Sequence, residues 1–201
     1  MNILHKRGAF IVIEGLDCSG KTTQAKLLTA KLSKSHNAVY TAEPSQGKIG
    51  TFIRNSCLYG EKRLPHSLEA LLFAADRIDH VENEIRPAIA AGKLVICDRY
   101  VYSSLAYQGS AGLSVDWIAE INKHALKPDF AVFIDVPAEK VLQRLNRRKS
   151  VMENLDTQRD VREIYMKSVE KGDLNLINGD KSIEKLGEEL AAEVLNFLIK
   201  F

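Results

Sequence analysis

Residues 15 to 22 read Gly15-Leu16-Asp17-Cys18-Ser19-Gly20-Lys21-Thr22, a complete G-x-x-x-x-G-K-T spacing. The apolar run Ala9-Phe10-Ile11-Val12-Ile13 precedes it, and Thr23 to Leu32 follow with apolar residues at helical intervals. A strand that ends in a glycine turn and restarts as a helix restricts the chain to few folds. The glycines let successive backbone N–H groups curl around an anion, and the helix N-terminus adds positive potential. In such a loop Leu16, Asp17, Cys18 and Ser19 contribute backbone. Lys21 gives a point charge to the β- and γ-phosphates, and the Thr22 hydroxyl can ligate Mg²⁺. The segment predicts a site for a nucleoside triphosphate.

Short apolar runs alternate with longer amphipathic segments along the rest of the chain. Strands are expected at 9–14, 37–42, 94–97, 130–135 and 174–177, each short and most rich in β-branched residues. Helical periodicity marks 21–34, 47–58, 67–90, 100–108, 114–125, 138–148, 157–171 and 182–199. This alternation, with nearly uninterrupted apolar strands, predicts an α/β fold: a five-stranded parallel sheet covered by helices on both faces. No linker or repeat divides the 201 residues, so one domain spanning 1–201 is expected. Ligands of such sheets sit at the carboxyl ends of the strands.

The residues after the strands therefore carry the chemistry. Asp98-Arg99-Tyr100 follows directly on 94–97. A carboxylate there can hold Mg²⁺ or orient an attacking oxygen, and a guanidinium can bridge two phosphates. Phe73 and Arg77 lie four residues apart on one expected helix and share a face, where a ring could stack on a base and the arginine read it. Taken alone, they also fit a core phenylalanine and a surface charge. Ser104, Tyr107 and Gln108 lie on the helix opened by Asp98-Arg99-Tyr100 and could face an acceptor.

Together, Phe10 to Thr23, Leu72-Phe73-Ala74-Ala75-Asp76-Arg77, Asp98 to Gly109 and Lys127-Pro128-Asp129 resemble the thymidylate kinase family of P-loop nucleoside monophosphate kinases, in family order over nearly the whole chain. The resemblance implies transfer of the ATP γ-phosphoryl to dTMP, giving dTDP, in a core-kinase fold with a short mobile lid. Asp17 matches the acidic residue that binds the deoxyribose 3′-hydroxyl. Phe73 matches the ring stacked on thymine and Arg77 the residue that reads the base. Arg99 matches the clamp between the two nucleotides, with Asp98 its metal-organising neighbour. Tyr107 matches the aromatic residue whose bulk disfavours a ribose 2′-hydroxyl, and Ser104 and Gln108 fall at acceptor-side positions.

Residues 147–160 resemble the lid. The phosphate loop itself carries no cation between its glycines, so the charge needed at the migrating phosphoryl is expected from Arg147, Arg148, Lys149 or Arg159, with Arg147 and Arg148 assigned to ATP. One departure stands out: Thr41-Ala42-Glu43-Pro44 replaces the Thr-Arg-Glu-Pro of many bacterial relatives, and Arg54 is the nearest substitute. Competing readings are a deoxynucleoside kinase, another nucleoside monophosphate kinase, or a GTP-dependent switch. The last lacks an Asn-Lys-x-Asp segment, since Asn178-Gly179-Asp180-Lys181 has the wrong order. Net charge is +2, from 28 basic and 26 acidic residues, which predicts no nucleic-acid-coating surface. Cys18, Cys57 and Cys97 lack paired spacing, against a disulfide framework or structural zinc. No long apolar span suggests a membrane, and cytoplasmic residence is expected. The family implies a homodimer, for which the apolar helices at 47–58 and 67–90 could supply the surface.

Overall fold

The computed structural model describes residues 8–58, 64–144 and 154–201. Its frame is five parallel strands: β1 (Ala9–Gly15), β2 (Ala38–Ala42), β3 (Leu94–Asp98), β4 (Phe130–Asp135) and β5 (Asn175–Asn178), in the order β2-β3-β1-β4-β5. Every residue of β1 and of β3 is buried, so neither face of the sheet centre meets water. The helices that cover it are α1 (Lys21–Leu32), α2 (Lys48–Ile53), α3 (His66–His80), α4 (Arg86–Ala90), α5 (Val101–Ser110), α6 (Val115–Ile121), α7 (Ala138–Gln143), α8 (Leu155–Glu170) and α9 (Ile183–Lys200).

The strand order fixes where each helix lies. The chain moves one way across the sheet from β1 to β2, then the other way through β3, β4 and β5. With right-handed crossovers, α1 must cover one face and α2 to α8 the other, and α9 returns to the first. The packing agrees: α1 lies against α9, while α5 packs on α8 and α3. Leu28, Leu190 and Val194 thus close one side of the core, and Val81, Ala106 and Tyr165 the other. The consequence is a crevice between the carboxyl ends of the neighbouring strands β1 and β3, whose following helices depart to opposite faces.

Element types follow the sequence, and the differences have local causes. The helix expected at 67–90 spans His66–Ala90 but widens into a π-helical turn at Val81–Ile85, where the Arg86 N–H reaches the Val81 carbonyl. Pro87 explains it: a proline has no N–H to donate and its ring crowds the carbonyl four residues earlier. The segment 47–58 likewise divides into α2 and a π-helical turn, Arg54–Leu58. Helix α6 ends at Ile121 rather than at 125. Helix α8 starts at Leu155, two residues early, because the Asn154 side chain accepts the Thr157 N–H and caps it. Of the expected lid 147–160, residues 147–153 lie outside the described residues and 155–160 are the opening turns of α8.

Candidate active site

The phosphate loop joins β1 to α1 at the crevice. Gly15 is required by crowding, since a Cβ there would lie 2.6 Å from Ser19 Oγ and 2.9 Å from the Ile134 carbonyl oxygen. Gly20 is required by conformation: at φ +97° it sits in the left-handed region just before α1. Leu16 is fully buried, and its carbonyl accepts a hydrogen bond from Lys21 Nζ at 2.6 Å. Burial pushes the Lys21 ammonium down from 10.5 to about 8, with the Arg99 charge acting in the same direction. Ser19 Oγ is buried without a hydrogen-bond partner among the described residues. Cys18 is half-buried at φ +61° and packs against the core.

The end of β3 meets this loop. Ile13 pairs with Asp98, and the Arg99 N–H donates to the Ile13 carbonyl at 3.0 Å. Asp98 Oδ2 accepts a hydrogen bond from the Thr22 hydroxyl. Arg99, at φ +70°, turns its guanidinium back over the loop. Its Nη2 lies 2.5 Å from Asp17 Oδ1, and its Nη1 donates to Ser103 Oγ at 3.0 Å and approaches the Gly15 carbonyl at 3.5 Å. The same guanidinium stacks over the Tyr107 ring, 5.0 Å from its centroid. The Tyr107 hydroxyl accepts the Asp17 N–H and donates to Asp17 Oδ2, both at 3.1 Å. Two non-glycine residues in left-handed backbone, at about 1–2 kcal/mol each, mark the crevice as a place where geometry outweighs local comfort.

The donor set suits a magnesium–nucleotide complex. Asp98 Oδ1 is buried without a hydrogen-bond partner among the described residues, beside the Thr22 hydroxyl, so a carboxylate and a hydroxyl oxygen converge there. Among the described residues no three His, Cys, Asp or Glu side chains form a cage. Mg²⁺ needs no such cage, since it keeps waters and substrate phosphate oxygens with one or two protein ligands.

A second cluster flanks the crevice. Arg77 is buried and spends its guanidinium on three partners: Glu43 (Nε to Oε2 at 3.0 Å, Nη2 to the same oxygen at 2.8 Å), Ser104 Oγ (3.0 Å) and Asn122 Oδ1. The Asn122 amide donates to the Ile118 carbonyl at 2.8 Å, which turns its oxygen toward Arg77. His80 also leans on Glu43, at 3.3 Å, and shares a hydrogen bond with Thr41 at 2.7 Å. Burial opposes its charged form, but the Glu43 hydrogen bond and charge outweigh it and raise its pKa. Asp76, the neighbour of Arg77, accepts from the Ser45 N–H (2.7 Å) and hydroxyl (2.6 Å), so one turn of α3 straps the whole Glu43–Ser45 segment.

These observations bring the predicted residues into three groups: Thr22 with Asp98, Arg99 with both Asp17 and Tyr107, and Arg77 with Ser104. Phe73 is half-exposed on the helix that carries Arg77, four residues away. Gln108 is buried, with Oε1 lacking a hydrogen-bond partner among the described residues. Arg147, Arg148 and Lys149 lie outside the described residues, whereas Arg159 is engaged by Glu139 at 2.6 Å. Arg54 donates to the Pro44 carbonyl at 2.7 Å and so braces the turn after β2.

The sequence model described as thymidylate kinase matches residues 13–190. The chain belongs to the thymidylate kinase family. Proteins named probable thymidylate kinase from Pyrococcus abyssi (42% identical; 96% of this chain, 98% of the relative), Thermococcus onnurineus (40%; 95% and 99%) and Methanococcus aeolicus (41%; 93% and 96%) are similar over nearly their full lengths. The family match covers the phosphate loop from Ile13 onward, the Asp98–Arg99 elbow and helix α8.

The sequence alone assigned no role to several residues that shape this site: Glu14, Glu43, Ser103, Asn122, Arg162 and Tyr165. Glu14 had a signal, being a lone carboxylate in an otherwise apolar buried strand, which must find partners. Arg162 forms a two-pronged pair with Asp135 at the end of β4 (2.7 and 2.8 Å), which helical periodicity alone does not reveal.

Proposed function

We propose that this chain transfers the γ-phosphoryl of ATP to the phosphate of dTMP, giving ADP and dTDP for dTTP synthesis. The observation that carries the reading is that the phosphate loop and the strand-end acid–guanidinium couple touch, through Thr22 with Asp98 and Asp17 with Arg99. Neither the kinase-for-nucleoside alternative nor the GTP switch is favoured by the family.

The roles follow from the chemistry of each group. Backbone N–H groups of residues 15–20 receive the ATP triphosphate, and Lys21 leaves the Leu16 carbonyl for the β/γ-phosphates. Thr22 and Asp98 would hold Mg²⁺, which would supply charge neutralisation to the triphosphate. A dTMP phosphate oxygen forms the new bond to the γ-phosphorus as the β–γ bridging bond breaks, and Arg99 neutralises the equatorial oxygens between donor and acceptor. Asp17 accepts the deoxyribose 3′-hydroxyl, while Tyr107 fills the space a 2′-hydroxyl would need. Phe73 stacks on thymine. Arg77, its charge already balanced by Glu43, is suited to a neutral base carbonyl rather than to a phosphate. Ser104 and Gln108 complete the acceptor side, and Arg147 and Arg148 bring lid charge to ATP.

The exposed residues Leu68, Leu71 and Ile78 form one stripe on α3, with exposed Phe52 on the adjoining α2. This stripe is the surface on which a second copy packs, and sedimentation at micromolar protein should give a dimer. No helix among the described residues is long and apolar enough to cross a membrane, and we place the enzyme with its nucleotides in the cytoplasm. The mechanistic test is Arg99→Ala with ATP, Mg²⁺ and dTMP: kcat should fall by about 10³-fold while the ATP KM changes little. Normal turnover in that variant removes Arg99 from the mechanism.

A further inference from the structure

The geometry points to Ser103 as a positioning residue for Arg99, held in place by the buried carboxylate of Glu14 and the hydroxyl of Tyr165. The inference rests on the reading of Arg99 as the phosphate clamp.

Glu14 is fully buried at the end of β1, directly beneath the phosphate loop. Its Oε1 accepts the Tyr100 N–H at 2.8 Å and the Ser103 N–H at 3.1 Å, and its Oε2 accepts the Ser103 hydroxyl at 2.7 Å and the Tyr165 hydroxyl at 2.8 Å. Two of those donors are backbone groups at the start of α5, a helix whose own N-cap residue, Tyr100, makes no side-chain cap. Glu14 therefore caps α5 from another strand. It does so immediately after Arg99, whose left-handed backbone makes the elbow between β3 and α5. The N–H that fixes the exit of that elbow is the one bonded to Glu14.

Ser103 converts this anchor into a direction for the guanidinium. A hydroxyl has one hydrogen to donate. Ser103 gives it to Glu14, which leaves its lone pairs to accept Arg99 Nη1 at 3.0 Å. Tyr165 stands 2.9 Å from the same oxygen, and its ring is stacked on Phe133 of β4, with centroids 4.6 Å apart at 16°. Three elements thus meet at one hydroxyl: β1 through Glu14, α5 through Ser103 and α8 through Tyr165. Arg99 is held on the opposite side by Asp17, which lies at the nucleotide and takes part in binding. Ser103 is the contact that persists while the substrates occupy the other side, so it keeps the guanidinium aimed at the migrating phosphoryl.

A double-mutant cycle tests this. Ser103→Ala should lower kcat about 10- to 100-fold, the loss expected when a charge-stabilising group drifts by around 1 Å, with the ATP KM within about twofold of the parent. In an Arg99→Ala background the same change should cost nothing further, because the residue it orients is gone. Tyr165→Phe keeps the ring and its stack, and it too should lower kcat, so it serves if Ser103→Ala melts at the assay temperature. Parental kcat in both variants overturns the proposal, as does a Ser103→Ala loss that is undiminished without Arg99. If Arg99→Ala itself retains parental kcat, the clamp reading fails. If Arg99→Ala is slow and Ser103→Ala and Tyr165→Phe are not, the clamp stands and only the positioning role is lost.

Discussion

Nucleotide binding should draw a proton onto Lys21 at mildly alkaline pH. The Lys21 ammonium is buried against the Leu16 carbonyl, and burial, followed by repulsion from Arg99, pushes it to about 8 despite the nearby carboxylates of Asp98, Asp17 and Glu14. A lysine at about 8 is roughly one-tenth neutral at pH 7, half neutral at pH 8 and nine-tenths neutral at pH 9. The ATP triphosphate sets several negative charges beside it, which favour the ammonium and restore its ordinary pKa. Binding should therefore take up about 0.1, 0.5 and 0.9 proton per ATP at those three pH values, and above pH 8 the affinity should fall by up to about tenfold per pH unit. Isothermal titration calorimetry in buffers of different ionisation enthalpy reads the uptake directly. With Mg²⁺ in excess the ATP triphosphate is essentially fully ionised across this range, and Lys21→Met removes the titrating group, so that variant should bind with no uptake. Uptake that stays flat from pH 7 to 9, or that survives in Lys21→Met, refutes the reasoning.

Two further outcomes follow from the acceptor side. Phe73→Ala should raise the dTMP KM about 5- to 150-fold, the equivalent of about 1–3 kcal/mol of stacking, and leave the ATP KM alone. An unchanged dTMP KM makes Phe73 a structural residue. The raised pKa of His80, which faces Glu43, Glu84 and Asp76, links folding to pH. Its folded value lies above the unfolded value of about 6.5, so its contribution is complete below pH 6.5 and is lost as pH rises through the folded pKa. Melting temperature should decline over that window, and the decline should flatten in His80→Gln; equal slopes in both proteins contradict the linkage.

Different parts of the molecule were legible to different degrees. Backbone chemistry was readable because it is local. Gly15 and Gly20 announce a loop that only glycine can make, and the buried runs of β1, β3 and β4 leave little choice but a covered parallel sheet. The strand-end pair Asp98–Arg99 was readable because open parallel sheets bind ligands at that end. The supports behind those residues were not. Tyr165 lies 151 residues from Glu14, Asn122 lies 45 from Arg77, and nothing near either residue in sequence signals the pairing. Arg77 illustrates the difference: spacing placed it on the face of Phe73, but only the folded chain shows its charge already balanced by Glu43. Boundaries moved where one residue dominated the backbone, as with Pro87 in the long helix and Asn154 at the start of α8. The second was available in the sequence as an Asn ahead of a helical pattern.

The central claim is that one crevice holds ATP on the phosphate loop and a thymine deoxynucleotide against Arg99. The most direct measurement is phosphoryl transfer from ATP in the presence of Mg²⁺ across dTMP, dUMP, dCMP, AMP and thymidine, compared as kcat/KM. The account predicts that dTMP is the preferred acceptor and dTDP the product. Preference for thymidine over dTMP, or ATP binding without transfer to any of the five, contradicts it.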